Sequence, residues 1–140
     1  MADLQRRIAV EIYNISLALD EINKVKNKEN KAKIELAGIA TFLHNFYTGI
    51  ENILKQILTE KNITVEKNEF WHKTLLEISA ENQIISAELK SLLLDYLAFR
   101  HFFVHSYGFM LDENRLITLA ERVSDVFSEF KKNIKAYFIE

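Results

Sequence analysis

The chain has 140 residues, of which 49% are hydrophobic and 27% are charged, with no cysteine, no proline and a formal net charge of -2. This length suits one domain spanning residues 1–140, and the lack of cysteine excludes disulfide bonds. The small net charge argues against a broad electrostatic grip on nucleic acid, so any RNA contact must be local. The N-terminus lacks a signal-peptide core and no stretch approaches the roughly 20 apolar residues that cross a bilayer, so we expect a soluble cytoplasmic protein without membrane contact.

The first half of the chain shows the periodicity of long amphipathic helices. Apolar residues recur every three or four positions over residues 4–25, and again from Ile34 to about Leu58. The polar run KNKENK separates these two segments, and the polar stretch TEKNITVEKNE follows the second. Its β-branched ITV is too short to make a sheet. We therefore predict an all-α chain.

The second half predicts one short and two long helices. WHKTLLEIS reads as the short helix, and the segment from Ser86, a plausible N-cap, to about Gly108 reads as a long one. Asp112 is placed to cap a last helix whose apolar positions continue through Phe138 to the C-terminus. The whole pattern predicts a compact antiparallel helical bundle of four long helices and one short helix.

The stretch RHFFVHSY, residues 100–107, carries an unusual set of polar side chains on a predicted helix. At about 100° per residue, Arg100, His101, His105 and Tyr107 fall on one side. This arrangement predicts one polar face and one face that docks into the bundle. The bulky aromatic residues fall on the opposite arc and are predicted to be core, although a dimer interface would use the same side chains: Phe99, Phe102 and Phe103.

The polar residue types on this face suit RNA cleavage without a metal. That reaction needs a base for the 2′-hydroxyl proton, an acid for the leaving 5′-oxygen and a cation for the charged phosphorane. Histidine performs either proton transfer near neutral pH, and the planar guanidinium of arginine fits phosphate oxygens. One copy of the stretch offers few groups for all three roles, whereas a two-fold axis would double the set. We therefore expect a homodimer with a cleft between its subunits.

The spacing of Arg100, His105 and Tyr107 resembles the R-x-x-x-x-H-x-Y motif of HEPN-domain ribonuclease toxins, the toxin half of HEPN–MNT toxin–antitoxin pairs. His101 also fits, since that family commonly has Asn, Asp or His directly after the arginine. The segments FLHNFYTGIENILKQI, FWHKTLLEIS and YLAFRHFFVHSYGFMLDENRL resemble HEPN segments in the expected order. The resemblance therefore extends over most of the chain.

This resemblance implies the toxin of a type II system, a HEPN-like bundle that dimerises with its motif helices facing each other. The activity implied is a metal-independent endoribonuclease that acts on tRNA or mRNA, with Arg100 and His105 as the catalytic pair and His101 in support. No cofactor is expected. The partner implied is an MNT nucleotidyltransferase antitoxin, which uses ATP and Mg²⁺ to attach AMP to Tyr107 and so neutralises the toxin.

Plainer interpretations of these residues stay open. Arg100 alone could be a surface arginine and Tyr107 an interface tyrosine. His101 and His105 have the four-residue spacing of metal ligands, but no cysteine or H-E-x-x-H pattern accompanies them, so no metal site is predicted. The alternative function is a non-catalytic HEPN module that binds a nucleotide or a partner nucleotidyltransferase.

Three further residues with polar side chains lie outside the motif. His72, next to Trp71, is a possible RNA contact or additional base, or simply a half-buried residue at the start of the short helix. His44 and Tyr47 on the second helix are predicted to serve packing.

Overall fold

The computed structural model describes residues 2–105 and 112–138, and within these two ranges all regular secondary structure is helical. The helices are α1 (Ala2–Val25), α2 (Lys33–Glu60), α3 (Trp71–Glu81), α4 (Ala87–His105), α5 (Glu113–Asn133) and α6 (Lys135–Phe138). The prediction of an all-α chain is confirmed, and the ITV segment forms no strand, as expected. A helix of one turn, α6, is added at the end.

α2 lies at the centre of the bundle and packs against α1, α3, α4 and α5. A helix that is apolar on more than one side is stable only where neighbouring helices cover those sides. This explains why the chain wraps three long helices and a short one around α2. Its buried apolar side chains are Ile39, Ala40, Leu43, Phe46, Tyr47, Ile50, Ile53, Leu54, Ile57 and Leu58.

Two predicted helix caps are confirmed. The Ser86 hydroxyl oxygen accepts a hydrogen bond from the Leu89 N–H at 3.0 Å, and the Asp112 carboxylate accepts one from the Arg115 N–H at 3.3 Å. Such bonds satisfy N–H groups that have no partner within the first turn of a helix. In addition, the Ser86 N–H donates to the Asn133 side-chain oxygen at 2.7 Å, which joins the start of α4 to the end of α5.

A buried tyrosine fixes how α4 is rotated against α5. The Tyr96 hydroxyl donates a 2.7 Å hydrogen bond to the Leu119 carbonyl oxygen, and burial raises the pKa of Tyr96 so that the hydroxyl keeps its proton. The rotation of α4 matters for function because it sets the direction of Arg100, one turn after Tyr96.

The prediction for the last helix was wrong at its C-terminal end. The periodicity predicts one helix through Phe138, but α5 ends at Asn133 and α6 forms a separate turn. Ile134, which is completely buried, lies at the break, and its N–H bonds to the Phe130 carbonyl oxygen. The chain changes direction here because α6 packs against α1 rather than continuing along the axis of α5.

Gly49 permits the close approach of α1 and α2. A Cβ at this position would lie 2.6 Å from Cγ1 and 2.8 Å from Cδ1 of Ile15.

Gly49→Ala should lower the free energy of unfolding, because overpacking costs about 1–3 kcal/mol and a better helix propensity returns only about 1 kcal/mol. Gly38→Ala is the matched control, since a Cβ there meets no atom within 4 Å, and it should raise stability by about 1 kcal/mol. Urea unfolding of both variants measures this, and equal stability would contradict the tight contact.

Candidate functional site

A buried carboxylate, Glu51 on α2, forms the base of the site. The residue is only 3% exposed, and both its oxygens approach Nδ1 of His72 on α3, at 2.8 and 2.9 Å. An ionised carboxylate only accepts hydrogen bonds, so Nδ1 must carry the proton. Nε2 is then the imidazole nitrogen left for an outside group, and 23% of the His72 side chain remains exposed.

The ring of His72 is also held from one face. Its centroid lies 4.0 Å from that of Trp71, and Lys55 places its ammonium 4.6 Å above the Trp71 ring. A cation over an indole face is attracted by the ring quadrupole, which stabilises this stack. His72 is therefore held at Nδ1 and against Trp71.

Tyr47 lies one turn before Glu51 on the same side of α2. Its hydroxyl is buried and forms no hydrogen bond of standard geometry within the described ranges, although it lies beside the Glu51 carboxylate. Burial first, and Glu51 second, raise the pKa of Tyr47 well above its ordinary value, while the charge of Arg100 opposes them. Tyr47 therefore stays a neutral phenol that both Glu51 and Arg100 influence electrostatically. The packing role predicted for Tyr47 agrees with its complete burial, but its polar end belongs to the site.

Arg100 extends the inward stripe of α4. It follows the buried Leu93 and Tyr96 by seven and four residues, the spacing of one helix face, and its own side chain is half-buried. In the part of the chain that the structure describes, Arg100 forms no ion pair or hydrogen bond. Five guanidinium N–H groups thus have no protein partner there, which suits a group that binds an external anion such as phosphate.

His44 lies on α2 within the electrostatic range of Arg100. Burial and then the positive charge of Arg100 lower the pKa of His44, and Glu51 offsets this in part. Its Nδ1 is buried without a hydrogen-bond partner among the described residues, and its ring centroid is 5.3 Å from that of Phe103. His44 is therefore neutral at neutral pH. We name the set His44, Tyr47, Glu51, His72 and Arg100 the inner polar cluster.

The two motif histidines lie on the solvent side of α4. His101 and His105 are exposed, and their ring centroids are 4.6 Å apart. The structure thus brings these two imidazoles together, while Arg100 turns towards α2 at the edge of the same helix. Tyr107, the fourth member of the predicted polar face, lies outside the described residues, as does Gly108.

The aromatic residues of the motif helix separate into two groups. Phe99 is buried and Phe103 is partly buried against the core, as predicted, and their rings stack at 5.8 Å. The prediction for Phe102 was wrong, since this side chain is 40% exposed. The reason is that the core lies towards the stripe of Leu93 and Tyr96, which Phe102 does not share.

The sequence interpretation missed Glu51 as a site residue. The sequence did contain a signal for it. Glu51 lies on the same face of α2 as Tyr47, four residues earlier, and the residues of this face are otherwise buried and mostly apolar. A carboxylate in such a stripe needs a polar partner. The sequence did not name the partner, because His72 is 21 residues away.

Neither a metal cluster nor a membrane span emerges from the described ranges. No three His, Asp or Glu side chains among residues 2–105 and 112–138 are grouped as metal ligands would be. None of the helices in these ranges is long and apolar enough to cross a bilayer.

The helical bundle, with Arg100, His101 and His105 towards the end of α4, fits a HEPN-like domain, and comparison with known proteins supports this class. A family model described as HepT-like protein matches residues 38–139, which include α3, α4, α5 and most of α2. Because the match covers more than half of the chain, the chain belongs to the HepT-like family, a family of HEPN-type toxins.

A solved structure shares the fold. It is the cytosolic protein of unknown function YutE from Bacillus subtilis, with a TM-score of 0.74 over 94% of this chain and 88% of that chain. The sequence identity is 13%, so this likeness shows the fold alone. The comparison with curated proteins finds no match.

Proposed function

We propose that this chain is the toxin of a type II HEPN–MNT toxin–antitoxin pair and acts as a metal-independent endoribonuclease on tRNA or mRNA. The observation that carries the proposal is the guanidinium of Arg100, which forms no ion pair or hydrogen bond among residues 2–105 and 112–138. It lies on the same helix as two adjoining exposed imidazoles, in a chain of the HepT-like family. The whole chain has a net charge of -2, so this local group of cations and imidazoles is where an RNA phosphate would bind.

In the proposed reaction, the 2′-hydroxyl of a ribose loses its proton to a base, and its oxygen attacks the adjacent phosphorus. The bond from phosphorus to the 5′-oxygen breaks, and that oxygen takes a proton from an acid. The products are a 2′,3′-cyclic phosphate and a 5′-hydroxyl. Arg100 binds the phosphate oxygens whose charge grows in the transition state, His105 performs one proton transfer, and His101 supports His105 through the contact between their rings.

A homodimer is part of the proposal. The solvent side of α4 exposes Phe102 and Val104 beside His101 and His105, and exposed apolar side chains next to polar groups are typical of interfaces. A second copy across a two-fold axis would bring two sets of these residues to one cleft. Light scattering at micromolar concentration should give twice the mass of the chain, and a monomer that still cleaves RNA would exclude the shared cleft.

Incubation of the purified protein with total RNA in EDTA tests the activity. Cleavage should persist, because the proposed reaction uses only side chains of this chain, and the new ends should be 2′,3′-cyclic phosphates. His105→Ala should abolish it. Activity that disappears on chelation would identify a metal enzyme instead. Intact RNA with wild-type protein, together with tight binding of a nucleotidyltransferase, would favour the non-catalytic binding module.

A further inference from the structure

The Glu51–His72 pair belongs to the inner polar cluster, yet the two-residue motif mechanism does not use it. Glu51 and Arg100 both act electrostatically on Tyr47 and His44, which places His72, bonded to Glu51, in the same inner polar cluster. His72 comes from α3 and Arg100 from α4, and these helices pack against each other. A single copy of the chain therefore contributes both an imidazole and a guanidinium to this cluster.

Burying the Glu51 carboxylate costs free energy that a purely structural residue would not need to cost. A carboxylate that is 3% exposed loses most of its hydration, and its hydrogen bonds in the described ranges go to one nitrogen, Nδ1 of His72. Replacing a buried ionic pair by apolar residues is often neutral or stabilising. The other buried residues of α2 are apolar except for the Tyr47 hydroxyl, so packing alone does not call for a carboxylate here.

The geometry of the pair defines a chemical state. With Nδ1–H donated to Glu51, Nε2 is the ring nitrogen that can hold the unshared electron pair of a general base. A buried carboxylate bonded to Nδ1 serves serine hydrolases in the same way, where it holds the tautomer and orientation of a histidine whose Nε2 accepts the proton. Trp71 holds the ring from one face, which limits the orientations available to it.

We propose that His72 is the general base of the ribonuclease and that Glu51 is its positioning residue. The inference rests on the proposed function. It assigns to His72 the removal of the 2′-hydroxyl proton, which leaves the transfer to the 5′-oxygen for His105. Nε2 of His72 accepts the 2′-hydroxyl proton, the 2′-oxygen attacks phosphorus, and the 5′-oxygen leaves with a proton from the imidazolium of His105. One subunit then supplies the base, and Arg100 supplies the cation beside it.

Cleavage kinetics with a defined RNA oligonucleotide in EDTA test this assignment. His72→Gln should lower kcat by about 10²- to 10⁴-fold, the usual contribution of a general base, with little change in KM. Glu51→Gln keeps an oxygen that accepts the Nδ1–H but removes the charge, and it should lower kcat less. Because Glu51 acts through His72, Glu51→Gln should have no further effect on kcat in the His72→Gln background. Glu81→Gln, an exposed carboxylate at the end of α3, is the control and should cleave as wild type does.

Two further measurements separate positioning from folding. Added imidazole should restore part of the activity of His72→Ala, a result that a purely structural role does not produce. Heteronuclear NMR of the histidine rings should show the Nδ1–H tautomer for His72 in wild type and a mixture in Glu51→Gln, in protein whose thermal unfolding remains cooperative.

The outcomes distinguish this inference from the function on which it rests. A wild-type protein that leaves RNA intact overturns the proposed function and the base assignment together. An active wild type whose His72→Gln variant keeps its kcat overturns the base assignment alone. Equal losses from Glu51→Gln with and without His72 show that Glu51 acts elsewhere and overturn its positioning role.

Discussion

Arg100→Ala should lower the rate of RNA cleavage by about 10²- to 10³-fold while the helical fold stays intact. This is the usual cost of removing one donor that stabilises developing charge in a transition state. Arg100→Lys should recover only part of the rate, because an ammonium keeps the charge but not the two parallel N–H donors that fit a phosphate. Single-turnover kinetics in EDTA measure both variants.

The control for this prediction is Arg122→Ala on α5. Arg122 is a half-exposed arginine 4.0 Å from Asp95, and it lies outside the inner polar cluster. Its removal should leave cleavage unchanged, since pairs of this kind contribute little even to stability. Unchanged cleavage in Arg100→Ala would contradict the proposed role, and equal losses in both arginine variants would indicate a general electrostatic effect on RNA binding.

His44 provides a readout of Arg100 that does not depend on activity. The Arg100 charge, after burial, lowers the pKa of His44 below its ordinary 6.5, so Arg100→Ala should raise that pKa in an NMR titration. The unfolded chain binds a proton at this residue more readily than the folded chain does. The stability contributed by neutral His44 is therefore lost as the pH falls below about 6.5 through the folded pKa. In Arg100→Ala, where the pKa of His44 is less depressed, the free energy of unfolding should fall less over this pH range.

The fold was largely predictable because it depends on local signals. The 3.6-residue period marks the helices, and the side chains of Ser86 and Asp112 mark two helix starts through bonds that span only three residues. The end of α5 was not predictable in this way. Ile134 fits the periodic pattern of α5, and only the packing of α6 on α1 shows why the helix stops before it.

The candidate site was predictable only in part, because its geometry depends on contacts between helices. A helical wheel gives the angles between Arg100, His101 and His105, but it does not show which direction faces the core. The stripe of Leu93 and Tyr96 sets that direction and turns Arg100 towards α2. The Glu51–His72 bond joins α2 to α3, and no local pattern reports a pairing of this kind.

Coexpression with the proposed MNT nucleotidyltransferase partner should add whole AMP units to the wild-type chain and none to Tyr107→Phe. In the proposed transfer, the Tyr107 oxygen attacks the α-phosphorus of ATP, pyrophosphate leaves, and the hydroxyl proton passes to solvent. Intact-mass spectrometry measures the product. Tyr13→Phe is the matched control, because Tyr13 on α1 is 64% exposed and a transferase without specificity would modify it too.

The expected effect on growth follows from charge. Tyr107 is seven residues from Arg100 in the sequence, so under this proposal an attached AMP should bring a phosphate that competes with RNA for the same guanidinium. The nucleotidyltransferase should therefore rescue cells that express wild type or Tyr13→Phe, but not cells that express Tyr107→Phe. Rescue of the Tyr107→Phe cells without any mass change would show that the partner neutralises the toxin by binding alone. An unmodified wild-type chain would contradict the regulatory proposal while leaving the assignment of Arg100 intact, since Arg100→Ala should remove toxicity whether or not the partner is present.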